Sequence, residues 1–162
     1  MPLRAGKGWL YEGGIRIPCI LRIPSRVNPG TIITQPIITT DIFPTLLELA
    51  GLPQMPTYHQ DGVSFARLLQ DSSQPTRTTM YWHYPHYHGS TWAPGSAMRE
   101  GDFKLIHFLE DNTYELYNLT QDPSEQHNLA AVNSSKLSDL TGKLDTWRES
   151  TNAVMPKLNS SK

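Results

Sequence analysis

The sequence predicts an α/β fold that closes on a small antiparallel sheet packed against a C-terminal helix, and three observations carry that prediction. Ile15 to Ile23 is a nearly continuous, β-branched-rich apolar run, the pattern of a strand buried on both faces. From Thr79 onward, four short strand-like runs follow one another, linked by turn-forming residues. Leu137, Leu140, Leu144 and Trp147 then recur at steps of three, four and three, a narrow apolar stripe suited to a sheet face.

The chain begins with a glycine-rich loop, Gly6-Lys7-Gly8, followed by Trp9-Leu10-Tyr11-Glu12-Gly13-Gly14. One cation between two glycines suits an anion grip, because glycine permits close backbone approach and an ammonium is a compact charge with three donors. A plain surface turn is the competing reading of the same residues. Pro18 and Pro24 interrupt the strand expected over Ile15 to Ile23, since proline removes a ladder donor. Cys19, mid-run, reads as a small buried hydrophobe. Pro24 to Gly30 is a turn, and a second extended run covers Ile32 to Ile38.

A helix is expected from Thr40 or Asp41, whose side-chain oxygen can cap the first turn, where Pro44 is tolerated. Phe43, Leu46, Leu47 and Ala50 repeat at helical spacing, and Gly51 with Pro53 stops the element. A short helix over Val63 to Leu69 and a turn over Asp71 to Pro75 complete the first half. The strands of the second half are Thr79 to Tyr84, Ser96 to Glu100, Phe103 to Phe108 and Tyr114 to Asn118, with Gly101-Asp102 and Glu110 to Thr113 as links. Asp111-Asn112 is therefore a hairpin turn rather than a ligand pair. The helix runs from Lys136 to Thr151, and the tail after Val154 is polar. Two parts follow, 1–75 and 76–162.

Net charge is −1 from 14 basic and 15 acidic residues, without a basic cluster, which argues against nucleic-acid or anionic-membrane partners. No apolar run reaches the length of a bilayer span, and the first residues hold no signal-peptide core. The single cysteine allows no internal disulfide. Acceptor patterns for N-glycosylation at Asn118, Asn133 and Asn159 fit chance.

The second candidate site is Tyr81 to Trp92, where His83, His86 and His88 fall within six residues among aromatic rings. Only His86 and His88 share strand phase, and no nearby Cys or carboxylate completes a metal set, so no metal site is assigned. The loop is read either as aromatic packing or as a substrate contact through His86, His88 and Trp92, whose ring faces and imidazole donors suit a sugar or an aryl ring.

Four segments, Gly6 to Pro18, Thr40 to Gly51, Arg99 to Ile106, and Glu115 to Leu119 with Asp122-Pro123-Ser124-Glu125 and Asn128-Leu129-Ala130, resemble in order and spacing the C-terminal portion of type I sulfatases of the alkaline-phosphatase-like superfamily. The resemblance implies that 1–75 is the end of a large sulfatase α/β domain and 76–162 its C-terminal subdomain. It implies hydrolysis of a sulfate ester, with calcium and a formylglycine nucleophile in the full-length enzyme. It implies further that Lys7 is the catalytic cation, gripping sulfate on the leaving-group side, while Glu12, Arg16 and Tyr11 hold the loop. The nucleophile motif of that family, Cys or Ser, any residue, Pro, Ser, Arg, does not occur here; Cys19 precedes Pro24 by five where the motif needs two. The calcium-binding aspartates do not occur either, so no cofactor is assigned to this chain. The implied partners are a sulfate ester, such as a sulfated carbohydrate, and the missing N-terminal sulfatase domain, without which the chain should not turn over. Full-length relatives are usually exported or lysosomal. An autonomous sulfated-glycan-binding or interaction module is the alternative.

Overall fold

The computed structural model describes residues 3–24, 26–71 and 77–157. They form two compact units, one made of Met1–Ile17 with Thr79–Lys162, the other of Pro18–Thr78. The boundary differs from a simple cut near residue 75, because the lysine loop belongs to the same unit as the sheet.

In the first unit, β1 (Thr79–Tyr84), β2 (Gly95–Glu100), β3 (Phe103–Phe108) and β4 (Thr113–Asn118) form an antiparallel meander in the order β1-β2-β3-β4. Every strand lies within a residue of its expected bounds. The register places Met98, Leu105 and Leu116 in one cross-strand row, and Arg99, Lys104 and Tyr117 in the next, on the opposite face. Helix α3 (Ser134–Ser150) covers the first face. It starts two residues earlier than expected, because Asn133 caps it, its side chain accepting from Lys136 N at 3.2 Å. Leu140 and Leu144 are fully buried against Met98, Leu105 and Leu116, and the Trp147 ring lies parallel to Tyr81 at 4.8 Å.

Also beneath α3, His107 stacks on Tyr114 at 4.1 Å and is held between Asn112 Oδ1 (2.9 Å to Nε2) and Arg148 Nη1 (3.0 Å to Nδ1). Arg148 donates, so Nδ1 accepts and cannot take a proton without losing that bond. Burial, foremost, and the Arg148 charge press the His107 pKa below its usual 6.5, against the pull of Asn112, Asp145 and Asp111. The unfolded chain therefore binds this proton first as pH falls. The stability associated with neutral His107 is complete above about 6.5 and lost below it. The urea midpoint should fall between pH 7 and 5.5, and fall less in His107→Gln; identical pH slopes for the two proteins would contradict the reading.

The other face of the sheet is covered by the chain's own N-terminal segment. Leu10 and Tyr11, with Trp9 and Ile15 beside them, pack on Ala97, Ile106 and Tyr117 together with the fully buried Trp92. The segment makes a single helical turn, α1 (Glu12–Ile15), where the start of a strand was expected.

In the second unit, the helix expected near 40–50 is present as a 3₁₀ turn over Thr39–Asp41 followed by α2 (Ile42–Leu49). Gly51 (φ +70) ends it in a Schellman closure, Leu52 N donating to Leu47 O and Gly51 N to Glu48 O. Asp41 does not cap α2 as expected. Its buried carboxylate instead accepts from Ile38 N (3.1 Å), Val63 N (2.9 Å) and the Arg77 guanidinium, tying three segments of the unit together. Of the helix expected over 63–69, only a 3₁₀ turn at Arg67–Leu69 forms. The turn expected over 71–75 lies, beyond Asp71, outside the described residues, as do the end of the tail and Asn159.

Two expectations are corrected. Ile15 to Ile23 and Ile32 to Ile38 form no strand, and Cys19 is exposed rather than buried. Ile20 is 93% and Ile32 85% exposed. A strand apolar on both faces needs neighbours to pair with, and the one sheet among the described residues is the β1–β4 meander. Pro18 and Pro24 remove two donors besides.

Candidate active-site lysine loop

Residues 4–14 fold back on themselves. Trp9 N donates to Gly6 O (3.1 Å) and Gly13 N to Arg4 O (2.9 Å), which leaves Lys7 exposed at the tip of the turn. No described residue hydrogen-bonds to or pairs with its ammonium. The glycines that flank it are not equivalent. A Cβ on Gly6 would meet nothing within 4 Å, whereas one on Gly8 (φ +92) would lie 2.2 Å from His88 Nδ1. Gly8 is thus required by its left-handed backbone and by close packing on His88, and this contact brings the two sequence candidates, the lysine loop and the histidine loop, together.

His88 is oriented by its neighbours. Its Nδ1 accepts from Ser90 N (3.1 Å) and pairs with Ser90 Oγ (2.8 Å), so the neutral ring carries its proton on Nε2, a donor with no partner among the described residues. His86 is exposed and stands edge-on to Tyr84 at 5.7 Å. His83 is committed elsewhere, to Ser96 Oγ (2.8 Å) and Val154 O (2.9 Å). Trp92 has no exposed surface, and its ring packs edge-on to Trp9 (5.6 Å) and Tyr11 (6.4 Å), building the floor beneath the loop. Among the described residues, no three His, Cys, Asp or Glu side chains converge on a point where a metal would sit.

Beneath the loop lies a charged layer. Glu12, 3% exposed, meets Lys104 Nζ at 3.1 Å and Arg99 Nη1 at 3.9 Å, and Lys104 also meets Glu125 at 2.8 Å. Glu125 accepts from Glu12 N at 2.7 Å, and burial, the largest influence, raises its pKa against the pull of Lys104. Arg4 lies 3.9 Å over the Tyr11 ring and donates to Tyr117 Oη (2.8 Å) and Glu125 O (2.7 Å). Tyr11 and Tyr117 both donate to Glu115 Oε2, at 2.6 and 2.9 Å. Burial and that carboxylate push both phenol pKa values well above the usual range, so both stay protonated donors.

Of the three residues expected to hold the loop, Glu12 and Tyr11 do so. Arg16 does not; its side chain is exposed, and the clamp comes from Arg4, Arg99, Lys104, Glu115 and Glu125. Sequence reasoning passed over these five, although one signal was present: Lys104 shares strand phase with Ile106, so a charge occupied a position patterned for burial.

Three of the four segments on which the family resemblance rests meet in this layer, Thr40 to Gly51 belonging to the other unit, and a family profile agrees with them. The profile described as N-sulphoglucosamine sulphohydrolase, C-terminal, matches residues 5–151. The chain belongs to this sulfatase family. A sulfatase of Formosa agariphila is 37% identical over 94% of the chain and 30% of its own length. The structure of Ps i-CgsB in complex with k-i-k-neocarrahexaose superposes with a TM-score of 0.78 at 26% identity, over 90% of this chain and 32% of that one. BT4656 in complex with its substrate D-glucosamine-2-N,6-O-disulfate gives 0.67 at 27% identity, over 79% and 27%. The fold is that of the C-terminal part of an alkaline-phosphatase-like sulfatase, and the chain spans about a third or less of the length of each of these relatives.

Proposed function

We propose that this sulfatase C-terminal region contributes Lys7 as the cation that grips the sulfate group during hydrolysis of a sulfate ester, with His88 and His86 at the substrate mouth. The observation that carries this reading is an exposed ammonium, unpaired among the described residues, at the tip of a turn whose base is locked by buried ion pairs. A surface lysine with no task needs no such foundation. The substrate we favour is a sulfated carbohydrate, because BT4656 acts on a glucosamine disulfate and the loop offers ring edges and an imidazole donor.

As an ester S–O bond breaks, negative charge grows on the sulfate and leaving-group oxygens, and an ammonium in reach stabilises it more than the ground state. A charge-assisted hydrogen bond contributes about 1.5–3 kcal/mol. Among the described residues no cluster of side chains fits the calcium ion that the family resemblance implies, and the sequence holds no formylglycine motif, so nothing assigned to Lys7 runs through either. We assign both to the remainder of the enzyme, and with them the turnover.

The test is a chimera in which this chain replaces the matching segment of the Formosa agariphila sulfatase, assayed on an aryl sulfate. Lys7→Ala should lower kcat/KM by roughly 10- to 150-fold, the equivalent of one such bond felt in the transition state. A variant as fast as its parent would remove Lys7 from the reaction.

A further inference from the structure

We infer that Lys104 is a positioning residue: held between the carboxylates of Glu12 and Glu125, it fixes the 4–14 turn on the sheet and so sets where Lys7 is presented. The link to catalysis rests on the function proposed for Lys7; the mechanical claim does not.

The argument begins with the burial of Lys104, whose side chain has no exposed surface. A buried ammonium is tolerated only when paired, and here one contact comes from each side, Glu12 Oε1 at 3.1 Å and Glu125 Oε1 at 2.8 Å. Glu12 is the first residue of α1, and Glu125 lies beyond β4. Lys104, near the start of β3, therefore joins the N-terminal turn to the segment that follows the last strand. Arg99, its cross-strand neighbour, approaches Glu12 Oε2 at 3.9 Å and brings the group to two cations and two anions. Glu125 is gripped twice more from the loop, by Glu12 N on its carboxylate and by Arg4 on its carbonyl.

The arrangement separates loop from sheet. The face that α3 covers is closed by Met98, Leu105, Leu116, Leu140 and Leu144, none of which touches the ion cluster, so the meander has a core of its own. The turn is held by Leu10 and Tyr11 in the apolar layer of the other face, by the Arg4 and Tyr11 hydrogen bonds, and by the cluster. It is the element expected to open locally when the cluster is broken, while the sheet stays folded. An apolar residue at 104 would leave Glu12 and Glu125 facing each other with only Arg99 near, and their repulsion acts on the turn.

Amide hydrogen exchange of this chain, resolved by residue, reads the claim without any ligand. In Lys104→Met, Trp9 and Gly13, whose amides close the turn, should exchange about tenfold faster or more, while Leu105 and Leu116 in the sheet stay within about twofold of the parent. Equal acceleration at turn and sheet would show a merely structural residue and overturn the inference, as would an unchanged turn. Glu125→Gln, which keeps shape and removes one of the two negative charges, is read in the same way if Lys104→Met does not fold. Failure of both to fold would equally overturn it. A Lys7→Ala chimera of full activity would refute the catalytic role and leave this exchange pattern as it stands, so the two claims fail separately.

Discussion

Gly14→Ala should cost stability at the upper end of the ~1–3 kcal/mol typical of overpacking, and should do so by dislodging the lysine loop. A Cβ at Gly14 would stand 2.1 Å from Trp9 O and 2.6 Å from Gly6 O. Both are backbone atoms of the turn that carries Lys7, and neither can swing aside as a side-chain tip would. Gly13 is in a similar position, 2.3 Å from Arg4 O, the carbonyl its own amide bonds. Gly6, on the far side of Trp9 in the same loop, meets nothing within 4 Å, so Gly6→Ala should change stability by less than about 0.5 kcal/mol. Thermal and urea melts of the two variants give the comparison directly. Equal stability of Gly14→Ala and Gly6→Ala would mean that the loop is not packed as described.

These glycines show how far the residues could be read before the structure. The Gly-Lys-Gly pattern singled out a loop whose glycines serve partly different ends from those read in the sequence. Gly8 was read as making room for a ligand, and it makes room for His88. The meander and α3 were legible because their signals are local: alternation within six residues, two tight links, and one apolar stripe. Strand bounds followed to within a residue, since a shift of one would have turned Leu105 and Ile106 to the wrong faces. The run from Ile15 to Ile23 misled for a related reason. Its composition records the surroundings it suits, and the described chain holds no strand to pair with it. Trp92 was placed at the mouth by its position in an aromatic loop, yet a loop can send one ring into the core while its neighbours stay outside, and phase alone does not tell which. The clamp around Lys104 was illegible because it joins residues 12, 99, 104 and 125, whose meeting depends on the register of the sheet rather than on any spacing along the chain.

The exposed apolar residues of the second unit bear on the largest effect expected. Ile20, Ile32, Leu46 and Leu52 are each more than half exposed, and Ile42, Phe43 and Met55 lie between 40 and 44%. Surface of this kind marks a place where another body packs, and we propose the amino-terminal portion of the sulfatase as that body. Burying apolar area contributes about 25 cal/mol per Å², so covering such side chains is a substantial driving force for assembly. An autonomous glycan-binding module has no reason to leave these residues uncovered.

Hydrolysis of an aryl sulfate, with calcium present, by the purified chain alone and by the chimera therefore tests the central claim most directly. A rate for the chain alone that does not exceed the buffer background, beside turnover by the chimera that drops on Lys7→Ala, is the result the account predicts. Turnover by the isolated chain, or a folded chimera that hydrolyses no sulfate ester, would contradict it.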